Sequence, residues 1–148
     1  MNHAVTEPFL QAFRGSFLGL RRWEDLYAFW ETLKNQADDY WYVYAIGEPV
    51  PDTPVSQDQL HQFIREIDTL LRQEHQEDYC GIVYVDDRNQ PGFIKIYDPN
   101  NLGVVCGYSN SPPLPGWIIS RLPPVELTKD TFLPHSRKRW WQRLFSAS

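Results

Sequence analysis

The sequence predicts a single α+β domain with a mostly antiparallel sheet, two main helices packed on it and a short C-terminal helix. Two segments carry apolar side chains at helical spacing, and short segments rich in β-branched and aromatic residues lie between and after them. A turn-rich connector joins two of these short segments as a hairpin. The length of 148 residues suits one domain. We assign the domain to residues 1–133 and a basic aromatic tail to residues 134–148.

The first helix is predicted after Gly19, and Asp38 and Asp39 close the segment. The residues expected on its apolar face are Trp23, Leu26, Tyr27, Trp30 and Leu33. Residues 40–46 are aromatic and β-branched, which predicts a strand with apolar side chains on both faces. Residues 47–54 are rich in proline and predict a loop.

The second helix has the clearest signals. Ser56 and Gln59 match a capping box, in which each side chain accepts a hydrogen bond from the other residue's backbone N–H. Six apolar residues then recur at helical spacing and predict a buried stripe. They are Leu60, Phe63, Ile64, Ile67, Leu70 and Leu71.

Residues 79–86 and 93–98 predict a hairpin, with turn residues in the connector 87–92. The register that this loop length favours places Tyr84 opposite Ile94 and Cys80 opposite Asp98. In that register Val83 and Val85 share a face with Phe93 and Tyr97. Weaker strand signals cover residues 104–106 and 117–121, and Pro123 and Pro124 end the second of them.

The charge is divided unevenly along the chain. Residues 1–128 hold nine basic and 18 acidic side chains, a net of −9, whereas residues 129–148 hold five basic and one acidic, a net of +4. The total of −5 excludes a generally basic nucleic-acid-binding protein.

We expect a soluble, cytoplasmic protein. The N-terminus shows no basic region followed by an apolar run, so it does not resemble a secretory signal. The uncharged stretch 99–120 contains four prolines and three glycines and cannot form a membrane-spanning helix. Cys80 and Cys106 are then expected to be reduced thiols.

No phosphate-binding glycine loop or nucleophile elbow is present, and no cysteine or histidine pair has metal-ligand spacing. His61 and His75 lie on the second helix but about 21 Å apart, since each residue adds about 1.5 Å. We therefore expect no cofactor and no metal. The weak catalytic candidates are Cys80, Cys106 and Asp98. The alternative is that the cysteines are small buried apolar residues and that the carboxylates form turns.

Two stretches are candidates for binding. In the uncharged stretch, polar side chains could hold a small neutral ligand, or the stretch could be a loop packed on the core. The residues concerned are Asn100, Asn101, Tyr108 and Asn110. In the tail, cations and tryptophans together are typical of helices that dock on partners or membrane surfaces. These residues are Arg137, Lys138, Arg139, Trp140, Trp141 and Arg143.

The sequence favours a protein-interaction module without a catalytic centre, with the partner contacting the tail. One alternative is a small-ligand-binding protein or cysteine-dependent enzyme that uses Cys80, Cys106 and the uncharged loop. Another is tail-mediated contact with a membrane surface or nucleic acid. A further possibility is intramolecular, with the tail rings packed on the domain.

Overall fold

A computed structural model describes residues 7–100, 114–127, 140–141 and 143–145. It confirms the predicted fold class, because five strands form one antiparallel sheet with helices packed against it. In chain order the elements are α1 (Pro8–Phe13), β1 (Leu18–Gly19), α2 (Trp23–Asn35), β2 (Tyr42–Ala45), α3 (Gln57–Glu74), β3 (Val83–Val85), β4 (Phe93–Ile96) and β5 (Trp117–Ser120). The described residues of 140–145 are helical. The predicted strand at residues 104–106 lies outside the described residues.

The strands are arranged in the order β1-β3-β4-β5-β2, and every neighbouring pair is antiparallel. Because side chains alternate along a strand, successive residues belong to two different cores. One set faces α2 and α3, and we call this side of the sheet the helix face. Its members are Val43, Ala45, Val83, Val85, Ile94, Ile96, Trp117 and Ile119. The other set packs with Phe9 of α1, and we call that side the α1 face; its members are Tyr44, Phe93 and Ile118.

Helix α3 forms as the sequence predicts. The Ser56 hydroxyl accepts from the Gln59 N–H at 3.1 Å, and the Gln59 side chain accepts from the Ser56 N–H at 2.9 Å. All six residues of the predicted stripe are buried. The helix runs antiparallel to α2. A hydrogen bond joins the two helices, because the Trp30 indole N–H of α2 donates to Asp68 Oδ1 of α3 at 3.1 Å. Burial of the stripe is therefore the main contribution of α3 to the core.

Helix α2 differs from the prediction in the face that it buries. Leu26, Trp30 and Leu33 are buried as expected, but Phe29 is buried and Tyr27 is exposed. At 100° per residue, Phe29 and Tyr27 lie on opposite flanks of the line through Leu26, Trp30 and Leu33. The spacing alone did not determine which flank turns toward the sheet. The placement of Tyr27 on the apolar face was therefore wrong.

The predicted hairpin is present, but its register is shifted by one residue. Val83 pairs with Ile96, Tyr84 with Lys95 and Val85 with Ile94. Val83 and Val85 therefore do not share a face with Phe93 and Tyr97, because a one-residue slip moves side chains to the other face.

The cause of the shift lies in the loop between β3 and β4. The Asp86 N–H donates to the Phe93 carbonyl oxygen at 3.1 Å, and the Asp86 carboxylate accepts from the Gly92 N–H at 3.0 Å. Asp87 Oδ1 accepts from two further loop amides. These bonds make Asp86 and Phe93 the last pair before the loop.

Helix α1 and strand β1 were not predicted, because both are too short to show periodicity. Phe9 of α1 packs on Phe93 at a ring-centroid distance of 5.0 Å. Lys95 Nζ donates to the Phe13 carbonyl oxygen at 2.8 Å and lies 4.1 and 4.0 Å from the Phe13 and Phe17 ring centroids. Burial lowers the pKa of Lys95. This lysine holds the end of α1 on the sheet.

The described part of the tail packs on the domain. The Trp140 ring lies 5.7 Å from Trp117 and 6.1 Å from Phe63, in both cases edge to face. Trp141 and Phe145 also contact the Phe63 ring, and Leu144 is buried. These rings are therefore packed on the chain's own domain, as one of the alternatives in the sequence analysis predicts. The boundary at residues 133 and 134 stays a prediction.

Substitution of Trp140 tests this packing. We expect Trp140→Ala to lower the free energy of unfolding by about 2 kcal/mol, less than a fully buried tryptophan would lose because the ring is only partly covered. Urea unfolding measures the change. The control is Arg143→Gln, which removes an exposed pair with Glu66 and should have little effect. Equal stability of the two variants would contradict the packing.

An ion pair fastens the end of β5 to the segment after α2. Arg121 Nη1 donates to Asp38 Oδ1 at 2.6 Å, and the guanidinium lies 4.1 Å from the Trp41 ring centroid. The hydrogen bond from Arg121 is the largest cause that lowers the pKa of Asp38 below its ordinary value of 3.8. Because the folded pKa is the lower one, the pair stabilises the fold above pH 3.8 and is lost as the pH falls through the folded pKa.

We therefore expect Asp38→Asn to destabilise the fold at neutral pH by at most about 1 kcal/mol, since the pair is partly exposed to solvent. The difference from the natural chain should shrink in acid, as the pH falls below 3.8 and through the folded pKa. Urea unfolding at both pH values measures it, with Asp52→Asn at an exposed position as the control. A difference that persists unchanged in acid would rule out the ion pair as its source.

Candidate functional site

Cys80, the first sequence-predicted catalytic candidate, is buried in the core. Its N–H donates to the Arg21 carbonyl oxygen at 2.7 Å, and its own carbonyl oxygen accepts from His75 Nε2 at 2.8 Å. Burial raises the pKa of the Cys80 thiol. A nucleophilic cysteine requires an accessible thiolate, so this environment opposes the reactivity that the enzyme alternative requires. Cys106 lies outside the described residues.

Asp98 does not lie opposite Cys80. The Tyr97 N–H donates to the Ile82 carbonyl oxygen, which continues the observed register and brings Asp98 level with Gly81. The Asp98 carboxylate is buried, and its Oδ1 accepts from the Asn100 N–H at 2.9 Å. The predicted juxtaposition of Cys80 and Asp98 was wrong because it depended on the incorrect hairpin register.

Of the predicted ligand loop, only Asn100 is described. Its side-chain amide donates to Glu74 Oε1 at 3.2 Å, which joins the loop to the end of α3. Asn101, Tyr108 and Asn110 lie outside the described residues. Of the predicted partner-binding tail, Trp140, Trp141 and Arg143 are described, and Arg137, Lys138 and Arg139 are not.

Among the described residues, no group of three His, Cys, Asp or Glu side chains is placed to hold a metal ion. Within the same ranges, no helix has both the length and the apolar character needed to cross a membrane.

Sequence reasoning missed a surface on which exposed apolar side chains collect. Four large apolar residues are exposed in the described ranges: Leu18 (50%), Tyr27 (62%), Tyr40 (70%) and Tyr79 (57%). Tyr40 precedes β2, at the far edge of the sheet from β1. Tyr27 lines an open depression together with Trp23, and Leu18 lines another together with Tyr79. The His75 ring links the two depressions, 6.1 Å from the Trp23 ring and 6.1 Å from the Tyr79 ring.

We call this surface the aromatic face and define it by seven residues. They are Leu18, Arg21, Trp23, Tyr27, Arg72, Tyr79 and Tyr84. It contains two open depressions. One of about 540 Å³ is lined by Trp23, Glu24, Tyr27, Asp68 and Arg72. The other, of about 500 Å³, is lined by Leu18, Gly19, Arg21, Tyr79, Gly81 and Tyr84, and we call it the tyrosine slot.

Two glycines shape the tyrosine slot. Gly19 pairs with Tyr84, and a Cβ at Gly19 would lie only 2.9 Å from the Tyr84 ring. Gly81 has φ of +71° and would bring a Cβ within 3.0 Å of the Tyr79 ring. Both tyrosine rings can therefore lie directly on the backbone, because neither glycine carries a side chain. The Tyr84 ring also contacts Tyr97 edge to face at 5.6 Å.

The charges of the two depressions differ. Arg72 Nε donates to Asp68 Oδ2 at 2.9 Å, and its guanidinium lies 5.0 Å from the Trp23 ring centroid, so this cation is already paired. Among the residues that the structure describes, Arg21 is the single charged one that lines the tyrosine slot. Within the described part of the chain its guanidinium has no ion pair. The slot thus combines ring faces with an available cation.

The aromatic face could not have been found from local patterns. Its residues come from β1 and the segment after it, the start of α2, the end of α3, the segment before β3 and β3 itself, and only the fold brings them together. One sequence feature does point to this surface, namely a glycine that pairs with a tyrosine across two strands. These residues are Gly19 and Tyr84, and their pairing can be recognised only once the strand register is known.

Comparisons with protein-family models, curated proteins and solved structures gave no match to this chain.

The environment of Cys80 can be tested by alkylation. In a Cys106→Ser variant, we expect Cys80 to react with iodoacetamide only as fast as the domain unfolds, because the thiol is buried and its pKa is raised. Urea above the unfolding midpoint should restore the rate of a free cysteine. Rapid labelling of the native protein at neutral pH would contradict the burial and revive the enzyme alternative.

Proposed function

We propose that the chain is a protein-interaction module without a catalytic centre, and that its contact surface is the aromatic face. The observation that carries the proposal is that exposed Tyr27 and exposed Tyr79 each line an open depression that also holds an arginine, and that the rings of Trp23, His75 and Tyr79 link the two depressions. Trp, Tyr and Arg are the residue types most enriched among those that dominate binding energy at protein interfaces.

The rings of the aromatic face are held in place before any partner arrives. The Trp23 indole N–H donates to the Glu77 carbonyl oxygen at 3.0 Å, and Arg72 lies over the ring. Tyr79 and Tyr84 lie against glycine backbone. Because little side-chain freedom is lost on binding, such a surface gives more net affinity for the same contact area.

The tail is a second candidate surface, but fewer of its residues are available for contact than the sequence predicts. The Trp140 and Trp141 rings are engaged with Phe63, so contact through the tail would depend on its cations. Arg143 is exposed and supports this reading. A membrane surface or nucleic acid bound in this way would be released by moderate salt, whereas binding to the aromatic face would be far less sensitive to salt.

A cytoplasmic location is part of the proposal, and the free thiol of Cys80 supports it, because cytosolic proteins keep their cysteines reduced.

The test uses the full chain as bait in quantitative affinity capture from its own cells. We expect Tyr27→Ala and Tyr79→Ala each to reduce recovery of a specific partner by about five- to thirtyfold, the effect of losing 1 to 2 kcal/mol of binding energy. Tyr40→Ala is the matched control, because it removes an exposed tyrosine at the other edge of the sheet.

A partner that is lost equally in all three variants, or in none, would count against the aromatic face. A partner that instead dissociates between low and physiological salt, and is lost on neutralising Arg143, would favour the tail. Each variant should first show unfolding behaviour like that of the natural chain, which is expected because the substituted side chains are exposed.

A further inference from the structure

The tyrosine slot lies beside the β1 edge of the sheet. Among the described residues, β1 is the outermost strand on its side and β3 is its only strand neighbour. The Leu20 N–H donates to the Val83 carbonyl oxygen at 2.9 Å, so Leu20 turns its backbone groups toward β3. Since backbone groups alternate along an antiparallel strand, those of Gly19 point to the β1 edge. An extended segment can bind there by continuing the sheet.

The chemistry of the slot indicates what that segment carries. Its walls include the rings of Tyr79 and Tyr84, which lie against Gly81 and Gly19 and favour an apolar or aromatic side chain. Among the described residues, Arg21 supplies the only charge in the lining. A guanidinium presents its donors in a fixed fork that matches a carboxylate.

We propose that the tyrosine slot binds an extended segment of a partner protein that presents an aspartate or glutamate next to an aromatic or apolar side chain. This inference rests on the proposed function and names the chemistry of the partner. The carboxylate pairs with Arg21, the neighbouring side chain lies against the tyrosine rings, and the backbone bonds to Gly19.

Charge argues against other occupants. The chain's own tail carries a net +4, the same sign as Arg21. A nucleic acid would meet Arg21 but would be repelled by a body with a net charge of −9 in residues 1–128. A second copy of the chain brings the same net charge of −5. One carboxylate on a short segment avoids these penalties, since only a single ion pair is formed.

The experiment uses three capped peptides that are identical except for Glu, Gln or Lys after a central Tyr. Chemical-shift titration of the isotope-labelled full chain gives their affinities. We expect the Glu peptide to bind about three- to tenfold more tightly than the Gln peptide, the range for a partly exposed charged hydrogen bond, with shifts at Gly19 and Gly81. The Lys peptide should bind more weakly than both.

Two variants locate the effect. Arg21→Gln should abolish the preference for Glu over Gln, and Arg22→Gln is the control, because it removes the same charge from the neighbouring residue, which does not line the slot. Gly19→Ala should weaken all three peptides, since the new methyl group pushes the Tyr84 ring across the slot. Unchanged spectra outside the slot confirm that the variants are folded.

Equal binding of the Glu and Gln peptides overturns the inference, as does a preference that survives Arg21→Gln. Failure of the Glu peptide to bind at about 1 mM also overturns it. In these cases a partner lost in Tyr79→Ala but retained in Tyr40→Ala would still support the aromatic face, so the two proposals fail separately. Self-association that disappears in Gly19→Ala would identify a second copy as the occupant and overturn the inference too.

Discussion

The burial of the central sheet on both faces is the constraint on which the rest of the structure depends. Strands β2, β4 and β5 carry apolar side chains in both alternating sets, so each side requires a cover. Helices α2 and α3 cover the helix face with long apolar stripes. On the α1 face a six-residue helix contributes Phe9, and Lys95 ties its end to β4 through the Phe13 carbonyl. The two covers are therefore unequal in extent.

This difference in helical cover explains where the tyrosine slot lies. The core contacts of α1 are with Tyr44, Phe93 and Ile118, which belong to β2, β4 and β5. Toward β3 and β1 the same side of the sheet is covered by tyrosines, since Tyr84 contacts Tyr97 and lies across Gly19. A tyrosine can cover apolar surface with its ring and leave its hydroxyl in water. On this side of the sheet, the tyrosine rings of the described residues thus cover the β1–β3 end and are still available for contact.

The sequence predicted those elements whose signals are local and strong. Helix α3 has a capping box and an unambiguous stripe, and both were found as expected. For α2 the sequence predicted the apolar stripe but not which flank of the stripe is buried, because Phe29 and Tyr27 are equally compatible with the spacing. The hairpin register depended on side-chain bonds from Asp86 to the loop, which loop length does not reveal. The predicted pairing of Cys80 with Asp98 failed for the same reason. The aromatic face depends on contacts between distant segments, so no local pattern could indicate it.

The chain's aromatic residues serve two different purposes. Around Phe63, the rings of Trp140, Trp141 and Phe145 contact one another and the core, so they stabilise the fold. Around Trp23 and Tyr79 the rings remain open to solvent, an arrangement that carries a risk of nonspecific association.

Two features of the structure limit that risk. Strand β1 has only two residues, which offers few backbone groups to another sheet, and Arg21 and Glu24 place charges within the surface. An uncharged apolar strand that binds at the β1 edge would gain little binding energy. A short segment with a matching carboxylate would gain both ring contacts and an ion pair. The features that restrain nonspecific association are thus the same ones that would make binding selective.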